Sequence, residues 1–211
     1  AYEIGFKSQL TDSLQLNGAV YYYDFQDMQV TIRVDAGAGV VQSARRNAGE
    51  AELYGAELEL WWRPSEQLSF KAGLAALESE IKEWDSVDPI EIAEFEGNRL
   101  ADAPKFTFNF SGRYEWPVGR DMNMAATLDG HYSDEVFKEI SNEPQFLAGS
   151  HFIVNGRLEL SGQDDRWFAA LWAKNLTDKR YPTSIRPLFG TTAELYNLPR
   201  TYGLTVGMRW D

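Results

Sequence analysis

Residues 106–116 read Phe106-Thr107-Phe108-Asn109-Phe110-Ser111-Gly112-Arg113-Tyr114-Glu115-Trp116. Even positions are aromatic or Gly, and odd positions are polar. A period of two marks a β-strand, whose successive side chains point to opposite faces. The same alternation recurs outward from this stretch. Tyr2, Ile4 and Phe6 alternate with Glu3, Gly5 and Lys7. Leu14, Leu16, Gly18, Val20 and Tyr22 alternate with Gln15, Asn17, Ala19 and Tyr21. Leu58, Leu60 and Trp62 alternate with Glu57, Glu59 and Trp61. Phe152, Val154, Gly156, Leu158 and Leu160 alternate with Ile153, Asn155, Arg157 and Glu159. Tyr202, Leu204, Val206, Met208 and Trp210 alternate with Thr201, Gly203, Thr205, Gly207 and Arg209.

Turn chemistry separates these runs. Short connections fall at 11–13, 63–67, 117–121 and 161–166. Long, less patterned segments fall at 26–50, 83–101, 134–150 and 175–199. The expected strands are 2–10, 14–34, 40–62, 68–82, 102–116, 122–133, 151–161, 167–174 and 200–210, with a tip at Asp35-Ala36-Gly37-Ala38-Gly39. Strands joined by three to six residues form antiparallel hairpins. The short turns recur at intervals of 52, 54 and 44 residues. Kelch-type propeller blades run about 50 residues, but no Gly-Gly doublet is present. Outer-membrane barrels alternate short turns with long loops.

Composition narrows the classes. The 211 residues carry 20 Lys+Arg against 32 Asp+Glu, a formal net charge of -12. An acidic chain is a poor partner for phosphate backbones, so no nucleic acid is expected. With no Cys there are no disulfides, thiolate metal sites or thiol catalysis. No apolar run approaches the ~20 residues of a membrane helix. Mean hydropathy is -0.41, yet a β-barrel keeps a polar average because every second residue faces lipid. Aromatics make up 14% of the chain. Many sit near strand ends: Tyr21, Tyr22, Tyr23, Trp61, Trp62, Tyr114, Trp116, Trp167, Phe168 and Trp210. That placement suits interfacial belts. A soluble sandwich with aromatic packing shows the same alternation. The opposite face carries both charge signs (Glu3, Lys7, Glu57, Glu59, Lys71, Arg113, Glu115, Asp129, Arg157, Glu159, Arg209) and reads as wall structure with cross-strand ion pairs.

Several stretches go beyond pattern. Asn175-Leu176-Thr177-Asp178-Lys179-Arg180-Tyr181 matches an Asn-Leu-x-Asp-x-x-Tyr motif. Leu198-Pro199-Arg200-Thr201-Tyr202-Gly203-Leu204 through Trp210 matches a Pro-Arg-x-Tyr-Gly closing strand. Asn47-Ala48-Gly49-Glu50-Ala51 through Glu59 and the lead-in Ala103-Pro104-Lys105-Phe106 fall in order upstream. On these residues the chain resembles the C-terminal part of the barrel of TonB-dependent outer-membrane receptors, siderophore and iron-complex type.

The resemblance implies an all-β fold: an antiparallel transmembrane β-barrel segment of about nine strands, an open curved sheet cut from a 22-stranded barrel. Residues 1–211 would be that barrel portion, with the plug domain and TonB box outside it. The location implied is the bacterial outer membrane. The implied activity is active uptake of iron–siderophore or similar scarce-nutrient complexes, with no catalytic role and no cofactor. The implied partners are outer-membrane lipid, a metal-chelate ligand, the TonB complex through a preceding N-terminal part, and the barrel-assembly machinery through the C-terminal strand. A passive porin-type barrel and a soluble β-sandwich or propeller binding module are the alternatives.

Chelated iron is often anionic, so loop cations and aromatics are the ligand candidates: Arg45, Arg46, Arg99, Arg180, Tyr181, Arg186, Phe189 and Tyr196. The carboxylates Glu83, Asp85, Asp88, Glu91, Glu94 and Glu96 lack EF-hand spacing and read as a solvated loop, with no metal site. His131 and Ser133 invite a hydrolase dyad, but no third partner is legible. His151 opens a strand and is expected at the interface.

Overall fold

The computed structural model describes residues 1–211 except 36–40, 48, 87–88, 163–165, 189–190 and 211; for 31–35, 41–44, 46 and 91 it describes the backbone alone. In chain order the elements are β1 (Tyr2–Thr11), β2 (Leu14–Phe25), β3 (Gln29–Asp35), β4 (Val41–Asn47), β5 (Glu50–Trp62), β6 (Leu68–Glu83), α1 (Pro89–Phe95), β7 (Phe106–Val118), β8 (Met122–Ser133), β9 (Val136–Phe137), β10 (Leu147–Ala148), β11 (His151–Gly162), β12 (Trp167–Lys174), β13 (Pro182–Leu188), β14 (Thr191–Tyr196) and β15 (Thr201–Met208). A 3-10 turn at Pro144–Phe146 precedes β10. Nine strands form one antiparallel sheet in the order β1-β2-β5-β6-β7-β8-β11-β12-β15. Its edges are β1 and β15, so the sheet is open.

Register keeps one face apolar across the whole sheet. Leu58 lies opposite Gly18 and Leu74. Leu158 lies opposite Ala126 and Leu171, and Leu171 opposite Leu204. Many of these side chains are open to the surroundings: Ile4 is 73% exposed, Leu171 61% and Val206 64%. Such a continuous exposed apolar surface needs a non-aqueous neighbour. Aromatics border it at both ends. Tyr2, Tyr22 and Tyr54 line up across β1, β2 and β5, and Phe108, Tyr132 and Phe152 across β7, β8 and β11. Trp62 and Phe70 pair at the opposite end, where Trp116 also lies. From Tyr54 to Trp62 is nine residues inclusive, within the about 9–11 that a tilted strand needs to cross a bilayer.

The alternation corrects the aromatic belt. Tyr22, Trp62, Tyr114, Trp116 and Trp167 belong to the apolar face. Tyr21, Tyr23, Trp61 and Phe168 share the polar face, because each is one residue out of phase.

Two expected strands divide. The stretch 14–34 breaks after Phe25, where Asp27 adopts a positive φ of 53°. The stretch 40–62 breaks at Gly49, whose φ is 89°. A Cβ at Gly49 would lie 2.2 Å from the Glu83 carbonyl oxygen, so the chain needs Gly there. Between these breaks β3 and β4 form their own hairpin, from Gln29 opposite Asn47 to Asp35 opposite Val41. The tip residues 36–39 lie outside the described residues. The expected strand at 102 begins at Phe106 instead, because Asp102 has a φ of 57° and Pro104 has no N–H to donate.

The well-buried large side chains gather at one end of the sheet, among the long connections and the last residues of β6. Val136, Phe146, Ala148 and Ile185 form one cluster. Ile81 and Trp84 form another, packed against Met28, Val30, Phe95, Leu100 and Ile140. The long segments therefore carry structure of their own: α1 in 83–101, β9 and β10 in 134–150, and the β13–β14 hairpin in 175–199.

Candidate ligand-facing wall and loop collar

The polar face has two zones. Near the short turns its charges pair with one another. Arg113 lies 3.0 Å from Glu115 and 3.9 Å from Glu159. Arg157 donates to Glu159 and sits over the Phe168 ring at 5.7 Å. Asn17 donates to Glu59 across the β2–β5 pair at 3.4 Å. This is wall structure of the expected kind.

Near the long connections the polar face is built differently. Asn155 donates its side-chain amide to Asp129 at 2.6 Å. Above it, His131 and His151 occupy diagonal positions on neighbouring strands, with Ser133 opposite His151 and His131 opposite Ile153. The two ring centroids are 6.3 Å apart. Tyr181, arriving from the last long loop, stacks on His151 at 3.6 Å with planes 13° apart. Lys138 and Lys179 act on His151 electrostatically. His151 is thus half-buried under a loop residue, not at a lipid interface. The Ser133 hydroxyl donates to the Asp134 carbonyl at 3.0 Å, not to His131.

The Asn-Leu-x-Asp stretch holds this loop in place. Asn175 is buried, with a φ of 55°. Its backbone N–H donates to the Asn155 side chain at 2.9 Å. Its side-chain amide donates to the Lys179 and Leu198 carbonyls at 3.0 and 3.1 Å. Its side-chain oxygen accepts from the Lys179 N–H at 3.0 Å and the Thr177 hydroxyl at 3.2 Å. Asp178 accepts from the Arg200 N–H at 2.8 Å, closing the far end of the loop. The motif is a clamp on the start and finish of residues 175–200.

The long connections also grip one another. Asn142 exchanges two bonds with the Arg99 backbone, both 2.9 Å. Asn98 donates to the Ile140 carbonyl at 3.0 Å. Lys138 pairs with Asp102 at 2.6 Å. Arg186 pairs with Glu139 at 2.8 Å. With the two small apolar clusters, these bonds make a collar around one end of the sheet.

The expected ligand residues fall into separate groups. Arg180, Tyr181 and Tyr196 meet in one loop. The Arg180 guanidinium lies 5.7 Å from the Tyr196 ring centroid, and the Tyr181 N–H donates to Asn197 at 3.0 Å. The Tyr196 hydroxyl donates to Glu194, which holds its pKa above the ordinary tyrosine value. Arg186 bridges two loops. Arg99 donates to the Ala103 carbonyl at 3.0 Å and acts as a strap. Arg45 lies exposed in β4. The Arg46 side chain and Phe189 lie outside the described residues. The sequence also does not announce that His131 and His151 stand together on the polar face beside this loop. The signal available was their equal phase with Asp129 and Asn155 on the polar face. Among the described residues, no three His, Asp or Glu side chains converge for a metal ion.

Comparison with known proteins fits this architecture. The family model for the TonB-dependent receptor-like β-barrel matches residues 1–176. Solved structures share the fold. The ferric yersiniabactin uptake receptor FyuA from Yersinia pestis superposes with a TM-score of 0.78 at 21% identity, over 97% of this chain and 29% of that one. The siderophore receptor PiuA from Acinetobacter baumannii gives 0.71 at 22% identity, over 97% and 27%. The FrpB iron transporter from Neisseria meningitidis (F3-3 variant) gives 0.65 at 17% identity, over 97% and 30%. The chain therefore spans less than a third of the length of these proteins. It belongs to the TonB-dependent receptor β-barrel family, a family of transport receptors in the bacterial outer membrane. Its apolar face is the lipid face, its polar face lines the lumen, and its long connections are the outer loops.

Proposed function

We propose that this chain supplies barrel wall, outer loops and closing strand to an active transporter of metal chelates, iron–siderophore complexes above all. The observation that carries the reading is the collar over the upper lumen wall. Loops that grip one another hold Tyr181, Arg180 and Tyr196 beside the lumen-facing His131 and His151, with Lys138 and Lys179 adjacent. Cations and aromatic faces together suit an anionic, ring-bearing chelate. Energy would come from TonB, acting on a plug outside residues 1–211. The aromatic closing strand, Tyr202 to Trp210, would be the segment met by the assembly machinery, and Tyr2, Tyr54 and Trp62 would anchor the wall in lipid.

The test is accumulation of radiolabelled ferric chelates by cells carrying the gene for the whole protein. Uptake of at least one ferric siderophore that disappears in a tonB deletion supports the reading. Uptake that persists without TonB, together with open-channel conductance in planar bilayers, would establish a passive pore instead.

A further inference from the structure

The lipid face is concave in one place. Gly112 on β7, Ala126 on β8, Gly156 on β11 and Ala173 on β12 step diagonally across neighbouring strands. Register puts Leu128 opposite both Gly112 and Gly156, Ala126 opposite Leu158, and Gly156 opposite Ala173. These four small residues are half-buried. Leu158, Leu171 and Leu204 stand above them along one side, at 42%, 61% and 64% exposure. On the other side Leu176 and Leu128 overhang the floor: a Cβ at Gly156 would lie 3.2 Å and 3.9 Å from their Cδ1 atoms. The result is a trough of about 940 Å³, whose floor crosses three strand spacings, about 14 Å. In a bilayer, apolar contact alone holds nothing in place, because lipid chains are as apolar as Leu. A chain lying in a trough differs. It touches floor and both sides at once and gains dispersion contacts that a convex wall withholds.

The outer end of the trough carries a charge. Leu176 lines the trough, and the Arg200 guanidinium reaches to 3.5 Å from the Leu176 carbonyl. The other Nη lies 4.0 Å from the Asp178 carboxylate, and the Arg200 side chain is 51% exposed. Asp178 already accepts the Arg200 backbone N–H at 2.8 Å. The guanidinium keeps donors for a phosphate, which its planar fork suits.

We infer that this trough seats one acyl chain of the phosphorylated glycolipid of the outer leaflet, with a phosphate of its head group on Arg200. The trough is continuous with the lipid face, so its occupant comes from the bilayer. Its charged end is the end that carries the long connections, which places the head group in the outer leaflet. A phospholipid phosphate would suit the same guanidinium, and the leaflet decides between the two. The inference rests on the assignment of the lipid face and not on what the barrel transports.

The experiment uses the intact outer-membrane protein containing this chain, extracted from cells in mild detergent and read by native mass spectrometry. The expected result is a bound glycolipid, identified by its mass, that stays through washes with phosphatidylglycerol micelles. This arm needs no variant to fold. Purified glycolipid is then titrated back into the delipidated protein. Ala126→Phe, which fills the floor, and Arg200→Ala, which removes the guanidinium, each raise the concentration for half-occupancy at least about tenfold. Val206→Phe lies on the same face outside the trough and leaves it unchanged. Loss of the glycolipid from the unsubstituted protein overturns the inference, as does phosphatidylglycerol in its place. Equal half-occupancy in the parent, Ala126→Phe and Arg200→Ala overturns it too, because the glycolipid then sits elsewhere. None of these outcomes bears on TonB-dependent uptake, which is measured separately.

Discussion

The backbone N–H of Asn175 donates to the side-chain oxygen of Asn155 at 2.9 Å, so the lumen wall itself holds the first residue of the last outer loop. The rest of the Asn175 side chain then ties residues 179 and 198 together. Replacing Asn175 by Ala leaves buried backbone groups without partners, at about 1–3 kcal/mol each, and puts Ala where φ is positive, a region Asn tolerates better. Loop 175–200 in Asn175→Ala is expected to be cut by protease many times faster than in the parent, while the wall still resists heat and detergent. Equal cleavage rates would show that the clamp is dispensable.

Neighbouring residues on the last strand face different media. Val206 stands opposite Ala169 on the lipid face, and Thr205 opposite Ala170 on the lumen face. Arg placed at Val206, near the middle of the apolar band, is expected to cost about 2–4 kcal/mol. Arg at Thr205 enters water and is expected to cost under about 1 kcal/mol. Urea unfolding of the two variants in lipid vesicles measures the contrast; equal losses would refute the face assignment.

Gly203 lies under the Trp172 ring. A Cβ there would sit 2.4 Å from the ring's Cζ2, and the indole N–H donates to Thr205 at 3.1 Å. Gly203→Ala must displace the ring and is expected to lower stability by about 1–3 kcal/mol. In a Trp172→Ala background most of that penalty should vanish, because the clash partner is gone. Strictly additive melting shifts would mean that the ring and the Gly do not interact.

Tyr196 gives a pH signature. Its hydrogen bond to Glu194 raises its pKa above the ordinary tyrosine value of 10.0. A raised pKa favours the protonated form in the folded state. The contribution is therefore fully present below the unfolded value and is lost as pH rises through the folded one. Subtracting the alkaline ultraviolet titration of Tyr196→Phe from that of the parent should leave a tyrosine that ionises late. A difference curve centred at or below the free value would contradict the bond.

The parts of this fold legible in the sequence are those that obey a local period. The alternation of Phe106 to Trp116 fixes which residues meet lipid. The breaks between β2 and β3 and between β4 and β5 were hidden because neither Asp27 nor Gly49 announces a positive φ in a short window. Only the approach of Gly49 to Glu83, 34 positions away, makes a continuous strand impossible. Asn175 was visible as a family mark, but its work depends on Asn155 and Leu198, which no short window contains. The contact of His151 with Tyr181 likewise needs a loop to fold back across the wall.

The two apolar clusters lie outside the span between the aromatic borders, among side chains that water and not lipid surrounds. The outer rim thus takes its shape from its own packing, and the bilayer contributes nothing to it. Extraction into micelles replaces the solvent of the wall and leaves that of the rim unchanged. The packing of these connections is therefore expected to survive extraction into micelles unchanged.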